Sequence, residues 1–158
     1  MTDTPFLSGP MPVEKDWIDY NGHLNMAYYN VLFDRGVDEI WERLGFGPGY
    51  RERTGCTTFS AETHVCYLRE IHLGDSVRAS FQLLDHNDRS FHFYQELIHE
   101  DGWVSATAEG LGLHIDQSGP NVAPMPDDIH ARVRTLMAAH RSLPRPPRVG
   151  RQMAIRHK

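Results

Sequence analysis

The sequence predicts an α+β domain in which one long amphipathic helix packs on one face of a single, largely antiparallel sheet. Three observations lead there. An apolar stripe at helical spacing (Tyr29, Phe33, Val37, Ile40, Leu44) runs through residues 25–44. Four β-rich segments then follow with only short polar breaks, which leaves no room for the crossovers that parallel strands need. The chain has 158 residues, about one domain: long enough for a real core, too short for two ordinary ones.

Each element has a local reason. Residues 11–19 read as a short strand that Pro12 confines to an edge or a strand start. Tyr20-Asn21-Gly22-His23 reads as a turn. Asn25 is the candidate N-cap of the long helix and Gly45 its stop. Gly36 lies on the apolar stripe, where it costs helix propensity, so it predicts close approach of a neighbouring backbone. Segments 57–69, 75–85, 90–99 and 103–115 are rich in Thr, Val, Phe, Tyr and Leu, and Asp101-Gly102 is the strongest hairpin signal between them.

Asp127 to Leu143 reads as a C-terminal helix with Ile129, Val133, Leu136 and Met137 on one side. Leu143 to Arg148 (L-P-R-P-P-R) cannot be helical and reads as extended. The expected organisation is one domain over residues 1–143 and a basic, proline-rich tail over 144–158. One helix of about five turns covers only part of such a sheet. The apolar remainder predicts a homodimer or a larger homo-oligomer.

Composition excludes several classes. With 40% hydrophobic and 23% charged residues, the chain is neither disordered nor fibrous. No run approaches the roughly 18 to 20 apolar residues of a membrane span. Met1 to Pro10 lacks the basic and apolar regions of a signal peptide. Two cysteines, Cys56 and Cys66, supply neither a disulfide framework nor a four-cysteine zinc site, and read as buried small hydrophobes. The expectation is a soluble, reduced, cytoplasmic protein.

The net charge of −5 is uneven: residues 141–158 carry six Arg or Lys and no acid, leaving ten basic against 21 acidic residues before them. An acidic body argues against nucleic acid as a partner. The tail reads either as a solvated end or as a contact for an anionic ligand.

Chemistry concentrates in Asp19-Tyr20-Asn21-Gly22-His23-Leu24-Asn25-Met26-Ala27-Tyr28-Tyr29, at the junction of turn and helix. Unpaired N–H groups and the dipole at a helix start stabilise an oxyanion or polarise a carbonyl. A carboxylate just upstream is placed to attack that carbonyl or to activate water beside it. The same residues also suit a plain capped helix start, with Asn25 capping and Asp19 taking turn amides.

Competing chemistries lack their motifs. No G-x-S-x-G elbow surrounds Ser60, Ser76 or Ser105. No H-E-x-x-H or C-x-x-C pair accompanies the ten histidines, and His64, His92, His99 and His114 fall on expected strands, so no metal and no cofactor are predicted.

The string D-Y-N-G-H-L-N-M-A-Y-Y resembles the D-x-x-G-H-x-N-x-x-Y signature of hotdog-fold thioesterases of the 4-hydroxybenzoyl-CoA thioesterase type, and the D-x-N-x-H-x-N stretch of plant acyl-ACP thioesterases. Tyr67-Leu68-Arg69-Glu70-Ile71-His72-Leu73-Gly74-Asp75 is similar to the family's Y-L-R-x-x-x-x-G-D. The resemblance spans roughly residues 11–116. It implies the hotdog fold, a long central helix wrapped by a five-stranded antiparallel sheet, here with a C-terminal helix and tail.

It also implies hydrolysis of an acyl-CoA thioester in a site shared by two subunits. Asp19 then occupies the catalytic carboxylate position, as nucleophile or general base. Asn21 and His23 match the catalytic network of the acyl-ACP pattern. An assisting carboxylate would be Glu70 or Glu62; Glu62 shares a strand face with His64, Cys66 and Leu68 that period two suggests is inward.

Trp17, Tyr20, Gly22, Asn25, Tyr28 and Tyr67 are the candidate substrate-binding residues, with Asn25 also a cap or brace of the motif. Such aromatic residues suit a quaternary ammonium. D-W-I-D-Y-N-G-H-L-N-M-A-Y-Y and H-R-S-L-P-R-P-P-R-V-G-R (His140 to Arg151) are similar to betainyl-CoA thioesterases of carnitine breakdown, which makes betainyl-CoA the expected substrate. An aromatic, fatty-acyl or ACP-linked thioester, or a non-catalytic acyl-CoA-binding module, are the alternatives.

Overall fold

Four long strands build the sheet of the computed structural model, which describes residues 4–155 and 157; Arg156 and Lys158 of the basic tail lie outside them. In chain order the elements are β1 (Phe6–Leu7), β2 (Met11–Pro12), α1 (Met26–Leu44), α2 (Pro48–Thr54), β3 (Cys56–Tyr67), β4 (Ser76–His86), β5 (Ser90–His99), β6 (Val104–Asp116), β7 (Asn121–Val122) and α3 (Asp127–His140). The principal strand order is β1-β4-β5-β6-β3, with β2 also on β4 and β7 on β6, and every pairing is antiparallel.

The expected strand over 11–19 is much shorter. Only Met11 and Pro12 pair, with Ser76 and Val77, before a 3-10 turn at Lys15–Trp17. That turn carries Trp17 into the core at 6% exposure. The C-terminal helix stops at His140 rather than Leu143, because Pro144 disfavours helical geometry just before it. The short helix α2 is the element that Gly47-Pro48-Gly49 disguises as a loop. Pro48 needs no N–H acceptor at a helix start, and Tyr50 anchors the turn by bonding His114 Nε2 (2.8 Å).

The long helix forms as expected. Asn25 Oδ1 accepts the Ala27 N–H at 3.0 Å, and Gly45 closes the far end at φ +94°. Its buried face adds Leu32, Gly36 and Trp41 to the expected stripe, while Val37 is only half buried. A Cβ at Gly36 would collide with that of Ala79 on β4, so glycine is what lets helix and strand touch. Gln95, 2% exposed, donates to the Phe33 carbonyl at 3.1 Å and fastens the helix to β5.

Two apolar clusters fill the space between. One gathers Trp17, Leu24, Tyr29, Leu32, Ile71 and Leu97 around the first half of α1. The other surrounds Trp41, whose ring meets Phe46, Phe81, Phe91 and Phe93, and α3 closes it with Ile129, Val133 and Leu136. Cys56 and Cys66 are half buried, not core residues. The tail turns back over the sheet face opposite α1, where Gln82 Nε2 donates to the Pro144 carbonyl (3.3 Å) and Gly150 N–H to Glu109 Oε2 (2.7 Å).

At the end of α3, His140 is 2% exposed and its Nδ1 accepts the Leu83 N–H at 2.9 Å, beside an irregularity in β4. Burial pushes its pKa below the ordinary histidine value, so the folded state keeps it neutral. The unfolded chain binds this proton near pH 6.5, and stability is therefore expected to fall as pH drops below about 6.5. Denaturant titrations of wild type and His140→Ala at pH 5 to 7.5 check this. The variant should lose about 1 to 3 kcal/mol near neutrality, from the orphaned Leu83 amide, and show the shallower pH slope.

Candidate active site

The segment from Ile18 to Leu24 is a miniature hairpin. Ile18 and Leu24 form an antiparallel bridge, Asp19 N–H donates to the His23 carbonyl (3.1 Å), and Gly22 N–H donates to the Asp19 carbonyl (3.0 Å). Asp at the first position and Gly22 at φ +83° suit a tight turn of this kind. Leu24 N–H donates to the Ile71 carbonyl (2.8 Å), which ties the hairpin to the segment after β3.

Asp19 is half buried, and both its oxygens are held: Oδ1 accepts the Asn21 N–H at 2.8 Å and Oδ2 accepts from Asn25 Nδ2 at 3.3 Å. Asn25 therefore joins two ends of the site, since its other side-chain atom caps the Ala27 N–H and its carbonyl accepts the Tyr28 N–H (3.0 Å). Among the described residues, the Met26 N–H has no acceptor. A carboxylate and a first-turn amide stand on either side of one asparagine.

His23 forms a second group. Its Nδ1 lies 3.2 Å from the Leu24 carbonyl and its Nε2 lies 4.0 Å from Glu70, whose other oxygen is 3.6 Å from His72. Ser105 steadies this stretch, its carbonyl accepting from Leu68 and Arg69 and its hydroxyl donating to the Arg69 carbonyl (2.7 Å). A cleft of about 250 Å³ opens here, bordered by His23, Met26, Tyr29, Tyr67, Arg69 and Glu70. Tyr67 donates to the Met26 carbonyl (3.3 Å) and stands edge-on to Tyr29, 5.0 Å between ring centres. Burial raises the pKa of both phenols and keeps them protonated.

A family model described as the thioesterase-like superfamily matches residues 13–133. The chain belongs to that superfamily. It is 35% identical over 145 residues to the betainyl-CoA thioesterase of Pseudomonas aeruginosa, with 91% of each chain covered. It is 32% identical over 153 residues to the L-carnitine dehydrogenase/betainyl-CoA thioesterase of Rhizobium meliloti, matching 92% of its own length but 30% of that longer protein.

Two solved structures are similar throughout. A hypothetical protein of Staphylococcus aureus in complex with CoA superposes with a TM-score of 0.90 at 26% identity, covering 99% of this chain and 98% of the other. A putative thioesterase of Pseudomonas putida superposes at 0.83 and 27% identity, covering 98% and 99%. The hotdog architecture expected from the motif is thus shown.

Within this thioesterase-like chain, the expected site residues fall into separate places. Asp19, Asn21, Gly22 and Asn25 share the hairpin, and His23 meets Glu70. Glu62 lies elsewhere: with His64 and Cys66 it faces the tail on the outer side of the sheet, not inward. An irregularity between Ser60 and Glu62 shifts the alternation of β3, so Val65 turns to the core instead. Tyr20 is 97% exposed at the hairpin tip. Trp17 is closed off, stacked on Tyr28 at 5.6 Å with the Arg35 guanidinium 4.9 Å from its ring centre.

Met26, Tyr29, Arg69 and His72 complete the surroundings, and all four sit inside the two motif strings, which is the signal the sequence offers for them. Asp75, His99 and Glu100 bring three ligand-type atoms within 4.8 Å of one another. His99 Nδ1 accepts the Asp101 N–H (3.1 Å), and its Nε2 stands 3.6 Å from Asp75 as a polar contact closing the turn.

Removing the bridge should separate its two jobs. Asn25→Ala is expected to lose about 1 kcal/mol from the missing cap. Asn25→Ser keeps a capping oxygen but lacks the amide that holds Asp19, and should recover most of that loss in chemical denaturation.

Proposed function

We propose that the protein hydrolyses acyl-CoA thioesters, with Asp19 attacking the acyl carbonyl or taking a proton from the attacking water. The observation that carries this reading is the Asn25 bridge, which holds the Asp19 carboxylate against the start of α1. A thioester carbonyl is weakly stabilised by resonance, so a polarising amide and a positioned carboxylate supply most of what the reaction needs. The Met26 N–H and the helix dipole suit the developing oxyanion. Asn21 and Asn25 orient Asp19, His23 and Glu70 form a polar wall beside it, and Tyr67 borders the acyl cleft. Membership of the thioesterase-like superfamily supports the reaction class.

The acyl group in this reading is betainyl. The betainyl-CoA thioesterase of Pseudomonas aeruginosa supports it, being similar over almost the whole of both chains. Tyr67 and Tyr29 line the cleft, where the face of an aromatic ring would attract a quaternary ammonium, and the acidic body does not repel one.

The working unit in this reading is a dimer through β3. This strand of 12 residues ends the principal strand order, and it exposes Phe59 and Tyr67. A cleft of about 400 Å³ lies between it and α1, bordered by Val31, Val37, Trp41, Phe59 and Phe93. A long, partly apolar edge strand calls for a partner.

Thiol release from betainyl-, short-chain, aromatic and long-chain acyl-CoAs tests the reaction and its acyl preference. Asp19→Asn should fold normally and lose about 10² to 10⁴ in kcat/KM. Full activity in that variant would sink the mechanism, and no turnover of any thioester by wild type would favour a binding module. Light scattering is expected to give at least twice the chain mass; a monomer would refute the β3 dimer.

A further inference from the structure

The tail after α3, bonded to the outer face of the sheet at Pro144 and Gly150, folds into two tight turns. Val149 N–H donates to the Pro146 carbonyl and Arg151 N–H to the Arg148 carbonyl, both at 3.2 Å, with Gly150 at φ +71°. Arg148 and Arg151 are thus the first and last residues of one turn, which brings their Cα atoms within about 7 Å.

The carboxylate beneath them is already engaged. Glu109 Oε1 pairs with His92 Nε2 at 2.7 Å, and Oε2 accepts the Gly150 N–H at 2.7 Å. Burial alone would raise this carboxyl, but the Gly150 and His92 bonds outweigh it and hold the group below the usual carboxylate range. Glu109 thus holds a backbone amide and an imidazole, and it anchors the turn that carries the arginines.

Elsewhere Arg35 pairs with Glu14 and Arg89 with Asp88. Among the described residues those are the two arginine ion pairs, and Arg148 and Arg151, like most arginines of the chain, form none. Arg148 and Arg151 are half buried on a pinned backbone, and Arg151 borders a cleft of about 440 Å³ with Glu62, His64, His92 and Glu109. Two guanidiniums three positions apart on a fixed turn, in a molecule otherwise strongly acidic, are suited to an anion. Their planar forks match phosphate oxygens.

CoA carries its phosphates at the far end of a long pantetheine arm, so they must meet the protein away from Asp19. Arg151 Nη1 lies 4.0 Å from Cys66 Sγ on β3. The next residue along that strand, Tyr67, borders the thioester cleft. We propose that Arg148 and Arg151 bind the phosphates of the CoA moiety, which deepens the thioesterase reading and rests on it.

Calorimetric titration of wild type, of the Arg148→Gln/Arg151→Gln variant and of the Arg148→Lys/Arg151→Lys variant with CoA tests the site. The glutamine pair should bind CoA at least tenfold more weakly, with a flatter salt dependence. The lysine pair should restore part of the affinity, and both variants should melt like wild type. In steady state the glutamine pair should raise KM for a CoA thioester about tenfold, with kcat within twofold.

Equal CoA affinity in wild type and the glutamine pair, or no CoA binding by wild type, overturns the site. A glutamine pair that lysine does not rescue at all overturns it too, because charge would not be what was lost. Wild type that binds CoA through these arginines yet hydrolyses no thioester would overturn the function proposed above and leave the site standing.

Discussion

The depth at which α1 settles against the sheet governs the rest of the molecule. Gly36 and Ala79 set it, because any side chain at position 36 would collide with the β4 residue. Packed interiors tolerate no such overlap, and a shift of one ångström there moves the whole helix. Gln95 then fastens the Phe33 carbonyl to β5, and the two apolar clusters fill in on either side of this contact. The start of α1 is thereby delivered beside Ile71, where Leu24 completes the link.

The candidate site is built differently, from short-range hydrogen bonds. Within seven residues, Asp19, Asn21, His23 and Asn25 make a turn, a cap and a bridge. None of these bonds needs a distant element to exist, but the cleft beside them does. Tyr67 and Glu70 arrive from the far end of β3, steadied by Ser105 of β6. A motif written in one stretch of chain thus gains its walls from another. The same division holds on the outer face, where Glu109 of β6 pins a tail that carries no secondary structure of its own.

Local signals were legible wherever the backbone itself demanded a residue type. Asn25 as cap, Gly45 as stop, Gly36 as close contact and Asp101-Gly102 as turn each correspond to the observed geometry. Errors arose where tertiary contacts decide. The strand expected at 11–19 pairs for only two residues, because a 3-10 turn is what brings Trp17 to the core. The helix α2 opens on Pro48 and Gly49 just after Gly47, so only the burial of Tyr50 against His114 explains it. Period two places Glu62 inward only on an unbroken strand, and β3 is irregular just before it.

The sequence by itself determined the fold class, the place of the long helix and the motif that marks the chemistry. Those depend on periodicity, capping and turn preferences, which act over a few residues. Only the tertiary structure decided that Glu70 rather than Glu62 stands beside His23, that Trp17 is shut inside, and that the tail lies across the sheet. Each of these is a meeting of residues 41 or more positions apart, or a side chain's burial. No local preference specifies such a meeting until the core has packed.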